Sequence, residues 1–193
     1  MDLRLFVALE LPPEVKDGIL TVVGDLRSRG VRASWARPGT IHLTLAFLGD
    51  TDEALVASIG GALREAASNV RPFEWSIRGL GAFPSPRRPR VIWAGVDAPD
   101  ELFELKREID AELRPLGYSP DRRRFRPHIT LGRVRRASDA AGLERHMADV
   151  EIPALSVPSN ELLLMRSTLR PGGALHEALE HLPLTGGGDA PGT

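Results

Sequence analysis

The sequence predicts an α+β fold of two pseudo-symmetric lobes, each with a mainly antiparallel sheet and flanking helices, and a cleft between the lobes. Three observations predict it. A His-x-Thr-Leu tetrapeptide occurs twice, at His42-Leu43-Thr44-Leu45 and His128-Ile129-Thr130-Leu131, 86 positions apart (128 − 42). Each copy lies in an apolar stretch, "IHLTLAFLG" and "PHITLGRV", that alternates with the period of a strand. The strand and helix signals around the two copies also follow one order, although little else is shared residue by residue.

Along the chain, Leu3 to Leu11 reads as a buried strand, and Pro12 and Pro13 open an amphipathic helix to about Arg29, because proline is tolerated in a first helical turn. The His42 stretch is the next strand. "DTDEALVASIGGALREAAS" starts with acidic residues and then spaces apolar ones by three and four, which predicts a helix from Asp52 to Ser68. Phe73 to Phe83 and Arg90 to Asp97 are strands joined by "PSPRRP" as a hairpin. A helix from Pro99 to Leu116, the His128 strand, a helix from Ser138 to Asp149 and two further strands complete the second half. In Ala174 to Leu182, "ALHEALEHL", the residues Leu175, Leu179 and Leu182 fall at helical spacing, and periodicity alone makes this a short helix. The last residues, 186–193 ("GGGDAPGT"), are too poor in apolar groups to pack, so a single bilobal domain over 1–185 with a disordered tail is expected.

Composition bounds the chemistry. The chain has 193 residues, enough to bury about 70% of the surface its unfolded form exposes. Hydrophobic residues at 42% and charged residues at 26% are those of an ordinary globular protein. The net charge of −1 gives no general pull toward polyanions, so any nucleic-acid contact must be local. A local patch exists: "RRRFRPHITLGRVRR", Arg122 to Arg136, carries seven arginines around the second motif, although a solvated charged surface reads the same way. The absence of cysteine excludes disulfides, thiolate metal sites and a cysteine nucleophile. The apolar run in "LRLFVALELPPE" is short and is broken by Glu10 and two prolines, so it reads as a strand rather than a signal peptide. No stretch approaches a membrane span, and a cytoplasmic protein with no membrane partner is expected.

In a strand, residues i and i+2 share a face about 6 to 7 Å apart, which puts His42 beside Thr44 and His128 beside Thr130. A lone histidine on an apolar strand is more often packing than chemistry; two in the same setting change that balance. One neutral imidazole can act as general base while a protonated one acts as general acid near neutrality. Each threonine hydroxyl can donate to an oxyanion held between them. The set suits in-line displacement at a phosphodiester. Two histidines are too few for a metal site, and no HExxH or clustered carboxylate pattern accompanies them, so no metal and no cofactor is expected. His146, His176 and His181 read by default as surface or packing residues.

With these residues in view, the sequence resembles the two-histidine phosphoesterase superfamily, and within it the RNA 2′,3′-cyclic phosphodiesterase family, once called 2′-5′ RNA ligases. The double HxTx signature carries the resemblance, together with "RLFVALELP", "HLTLAFLGD", "GAFPSPRRPRVIWAGV", "FRPHITLGRV" and "STLRPGGALHEALEHLPL", from Arg4 to Leu184. It implies hydrolysis of a terminal 2′,3′-cyclic phosphate to a 2′-phosphomonoester in the cleft, with His42 as proton donor to the departing 3′ oxygen and His128 as acceptor of a water proton. The residue types themselves leave that direction open. It further implies substrate binding by Thr44, Thr130 and Arg133. The odd offset of Arg133 from His128 puts it on the opposite strand face unless a bulge or strand end redirects it. Family members end in a strand hairpin, so a strand is expected over Ala174 to Leu182. Where many relatives carry an aromatic residue in that strand, this chain has His176. The implied partner is RNA with a 2′,3′-cyclic phosphate end or a small cyclic nucleotide, bound by a monomer. The alternative of another class is a non-catalytic RNA-end or nucleotide-phosphate binding module with Arg122 to Arg136 as its cradle. The same acid-base pair run backwards would join RNA ends through a 2′-5′ linkage.

Overall fold

The structure, a computed structural model, describes residues 2–121, 123–152, 155–171 and 173–186. Its strands are β1 (Asp2–Leu9), β2 (Ser34–Trp35), β3 (Leu43–Asp52), β4 (Phe73–Phe83), β5 (Val91–Asp97), β6 (His128–Arg133), β7 (Leu155–Ser159), β8 (Glu161–Arg170) and β9 (Gly173–Pro183). Its α-helices are α1 (Pro13–Ser28), α2 (Val56–Ser68), α3 (Asp100–Leu113) and α4 (Leu143–Ala148). The strands form two sheets whose recorded pairings are all antiparallel, one ordered β3-β1-β8-β9 and the other β2-β6-β5-β4-β7. The α+β class of the sequence analysis holds.

The sheets are not the two halves of the chain. The repeated element order suggests one lobe per half, yet β4 of the first half lies in the second sheet and β8 of the second half pairs with β1. The short connection from Phe83 to Val91 explains the exchange. A local antiparallel hairpin forms between β4 and β5, and β5 already pairs with β6, so β4 follows it. The edge of β1 left open is covered by β8, whose Met165 and Leu164 pair with Phe6 and Val7.

One hydrophobic core runs through the molecule. The helix after β1 crosses to the other sheet, where Ile19 and Val22 of α1 meet Ile77, Ala94 and Leu131. The four-stranded sheet is backed by α2, whose Ile59, Leu63 and Ala66 are buried and whose Arg64 donates to Glu180 of β9 at 2.9 Å. Burying each such leucine or isoleucine stabilises the fold by about 1.5 to 3 kcal/mol. Phe6, Ala8, Leu163 and Met165 form a second, separate apolar cluster on the other face of this sheet.

Three expectations shift. The helix expected over Ser138 to Asp149 is a 3-10 turn at Ala137–Ala140 followed by α4, because Gly142 between them takes φ +73° and breaks the helical backbone. The helix expected from Asp52 begins at Val56, since β3 continues to Asp52 and a 3-10 turn intervenes. The two-residue β2 is unanticipated, being too short to show a period. Ala174 to Leu182 is strand, within β9, paired to β8 from end to end. Of the expected tail, Gly186 is bound to the Val70 carbonyl at 3.0 Å, and 187–193 lie outside the described residues. No helix among the described residues is long and apolar enough to cross a membrane.

Candidate active site

Both motifs lie on sheet faces turned away from the main core. In β3, Thr44 pairs with Ala8, and Ala8 and Phe6 alternate onto the face that carries the second apolar cluster. His42 immediately precedes β3 rather than lying in it. Its ring stacks on Phe6 at 4.8 Å and meets His176 edge-on at 5.1 Å, while Phe6 and His176 are 4.9 Å apart. His176 reaches this face through an irregularity. Leu164 pairs with Glu180 but Met165 pairs with Ala178, so Leu179 is an extra residue that flips the following alternation. The default reading of His176 as a surface or packing residue holds as packing, and the structure adds that the rings it packs on are Phe6 and His42. His181 pairs with Glu161 at 3.1 Å, and His146 lies over Gly142 on α4, so these two stay away from the motifs.

In the five-stranded sheet, His128 pairs opposite Gly95 and Thr130 opposite Trp93. The His128 ring meets Phe83 at 5.1 Å and Trp93 at 6.3 Å. Gly81 lets the wall form, because a Cβ there would overlap the Trp93 indole. Leu131 is the extra residue of a second bulge, since Ile92 pairs with Gly132 but Trp93 with Thr130. Leu131 turns into the core, fully buried, and the odd offset of Arg133 is undone: Arg133 pairs with Val91, which alternates with Trp93. The exposed Arg133 thus falls on the face of His128.

The electrostatics separate the two imidazoles. Burial, with the charges of His176 and Lys16 beside it, pushes His42 from 6.5 down to about 3. Lys16 itself is paired with Glu10. Burial also lowers His128; a bond to the Arg126 carbonyl opposes this, and the Arg133 charge adds to it. That bond, 2.7 Å from Nδ1 to the Arg126 oxygen, fixes the tautomer, because a carbonyl only accepts. Nδ1 carries the proton and Nε2 presents a lone pair. Two polar atoms of the surrounding wall, His176 Nδ1 and Trp93 Nε1, are buried without a hydrogen-bond partner among the described residues.

A strap ties the motifs together. Trp35 of β2 pairs with Gly132, the Ala36 N–H donates to the Leu131 carbonyl at 2.8 Å, and the chain then turns through Pro38–Thr40 directly into His42. β3 and β6 are accordingly in contact. The arginine run is divided: Arg123 is paired with Asp121 at 2.6 Å, Arg124 and Arg126 are exposed before β6, Arg135 and Arg136 are exposed after it, and Arg122 lies outside the described residues. Among the described residues, no three His, Cys, Asp or Glu gather as metal ligands. A cavity of about 560 Å³ beside Arg71, Glu101 and Glu104 includes neither motif.

Sequence reasoning missed Phe6, Trp93 and Phe83 as walls and His176 as a neighbour. The register slips that place His176 carry no signature in composition. Two aromatic residues near one another on a predicted hairpin, Phe83 and Trp93, were the one available hint.

Comparison with known proteins gives a consistent result. A family model described as LigT like Phosphoesterase matches residues 9–93 and again 95–176, so each matched segment holds one motif. The chain is 34% identical over 183 residues to the RNA 2′,3′-cyclic phosphodiesterase of Methanothermobacter thermautotrophicus, covering 93% of this chain and 98% of that one. It is 33% identical over 185 residues to the protein of the same description from Thermotoga maritima, covering 96% and 97%. Among solved structures it is similar to TT0787 of Thermus thermophilus, with TM-score 0.76 and 30% identity over 95% of this chain and 98% of that one. It is also similar to E. coli LigT complexed with 3′-AMP, with TM-score 0.71 and 26% identity over 96% and 99%.

Proposed function

The chain belongs to the LigT-like phosphoesterase family, and from that premise we propose that it hydrolyses the terminal 2′,3′-cyclic phosphodiester of RNA to a 2′-phosphomonoester, with His42 and His128 as the acid-base pair. The observation that carries this reading is the His128 tautomer: an Nε2 lone pair on a solvent-facing wall is what a general base needs. His128 Nε2 takes a proton from water as the water oxygen bonds to phosphorus. The phosphorus bond to the 3′ oxygen breaks opposite it, and His42 supplies the proton that the departing oxygen requires. The 2′ ester bond stays intact. Thr44 and Thr130 donate to the nonbridging oxygens, and Arg133 offsets their charge.

His42 is neutral in the free protein at neutral pH. Its acid role therefore needs an anion beside it, and the phosphodiester is that anion: its negative charge favours the imidazolium and offsets the repulsion from Lys16. The relatives described as RNA 2′,3′-cyclic phosphodiesterases, and the 3′-AMP held by E. coli LigT, support the same substrate class.

Product analysis tests the proposal. An RNA oligonucleotide ending in a 2′,3′-cyclic phosphate should yield a 2′-phosphate, and His42→Ala and His128→Ala should each fold yet lose about 100-fold or more in turnover. A 3′-phosphate product, or full turnover in either variant, would overturn it.

A further inference from the structure

Arg37 stands where the three segments of the site converge, and the acid-base chemistry leaves it without a task. Its main chain is pinned: the Arg37 N–H donates to the Thr40 hydroxyl at 2.9 Å, and that hydroxyl donates back to the Arg37 carbonyl at 3.0 Å. On one side, neighbouring Ala36 is bonded to Leu131 of the second motif. On the other, the chain enters the first motif at His42. The guanidinium itself lies at the β8–β9 turn, its Nη1 3.8 Å from where a Cβ of Gly173 would stand. Gly173 opens β9, the strand that carries His176. A Cβ at 173 would stand in ordinary van der Waals contact with this guanidinium.

The side chain is exposed, and no carboxylate lies within salt-bridge distance of it among the described residues. Among the described residues, eight other arginines do have such a partner, for example Arg64 with Glu180 and Arg166 with Glu177. A fixed backbone, a free planar fork of donors and a position on the rim make a site for an anionic oxygen. The anion is not the reacting phosphate. The guanidinium lies beside Gly173, three positions along β9 from His176, whose ring touches His42, and three positions of strand span about 10 Å.

We infer that Arg37 holds the RNA phosphate immediately upstream of the terminal nucleotide, and so makes a polynucleotide end a better substrate than a free cyclic mononucleotide. The assignment rests on the hydrolase reading above and adds to it the substrate length. A cyclic mononucleotide has only the reacting phosphate, so the Arg37 contact is lost with it.

The test compares wild type, Arg37→Gln and Arg37→Lys on adenosine 2′,3′-cyclic phosphate and on a short RNA ending in the same group. Arg37→Gln should raise KM for the RNA by about tenfold or more, the range for a lost hydrogen bond to a charged group, and leave the mononucleotide within about twofold. Arg37→Lys should recover part of the loss, because the charge remains while the fork is gone. Equal losses on both substrates, or none on the RNA, would overturn the assignment. Fluorescence anisotropy with an RNA carrying a 2′-phosphate end reads the same contact without turnover. An inactive wild type would then sink the hydrolase reading, while weaker binding by Arg37→Gln would still decide for the Arg37 contact and unchanged binding against it.

Discussion

The two motif histidines differ in surroundings more than in sequence. His42 lies between Phe6 and a third imidazole, while His128 is oriented by a carbonyl and flanked by an arginine. Both titrate below the ordinary 6.5 in the free protein, His42 at about 3. Since kcat/KM reports the free enzyme, its alkaline limb must come from an imidazole with a lowered pKa. We expect kcat/KM on a cyclic-ended substrate to fall about tenfold per pH unit above about pH 6.5. The limb of kcat should lie higher, because the bound phosphodiester favours the charged form of His42. A kcat/KM profile that stays flat to about pH 8 would show that the burial seen here does not govern catalysis. The residues behind this behaviour were only half legible. Duplication singles out His42, Thr44, His128 and Thr130, because the same four-residue word on two apolar strands is improbable as packing alone. His176 and Arg37 carry no such word. Their roles follow from a slip at Leu179 and from a turn that brings Gly173 to Arg37, both contacts across long stretches of chain.

At the level of elements, β2 matters beyond its length. Its Trp35 covers Gly132, where a Cβ would come within 2.8 Å of the indole and 3.2 Å of Ala33. Gly132→Val should therefore push β2 from β6 and loosen the strap that leads into His42. The expected cost is about 1 to 3 kcal/mol of stability, the usual range for overpacking, together with reduced turnover. Gly61 gives the opposite case: it is exposed in the middle of α2, and a Cβ there meets nothing within 4 Å. Gly61→Ala should stabilise by about 0.5 to 1 kcal/mol with turnover unchanged, whereas at its neighbour Gly60 a Cβ would displace the Glu180 carboxylate that pairs with Arg64. Urea titrations of the two variants check both signs, and a Gly132→Val protein as stable and active as wild type would remove the strap from the account. Most elements were legible because amphipathic periods and the Pro, Gly and acidic punctuation agree with the fold. The strand β9 was the exception. Its Leu175, Leu179 and Leu182 mimic a helix, but the bulge at Leu179 resets the strand alternation, and pairing with β8 overrides local periodicity.

Taken whole, the molecule sets its active face against its stability in acid. Two sheets drawn from interleaved parts of the chain share one core, and the site occupies faces that the core does not use. Placing three imidazoles with lowered pKa values on those faces has a thermodynamic consequence. For His42 the folded value is about 3 against 6.5 when exposed, so between these limits the unfolded chain binds a proton that the folded chain does not. Stability then rises with pH across this window and is lost as pH falls below 6.5 toward 3; His128 and His176, lowered in the same direction, add to the loss. The His42 share between about pH 7 and about pH 5 is about 2 kcal/mol. Carboxylates titrate in the lower part of this range as well, so the wild-type curve alone does not isolate the imidazole. The difference between wild type and His42→Gln does, because the amide fills the same place against Phe6 without titrating. Denaturant unfolding at the two pH values should show His42→Gln gaining about 2 kcal/mol relative to wild type at the lower one. A difference that stays constant with pH would mean that His42 takes up its proton inside the folded protein as readily as outside it, and the apolar wall of Phe6 and His176 would then not be what holds the imidazole neutral.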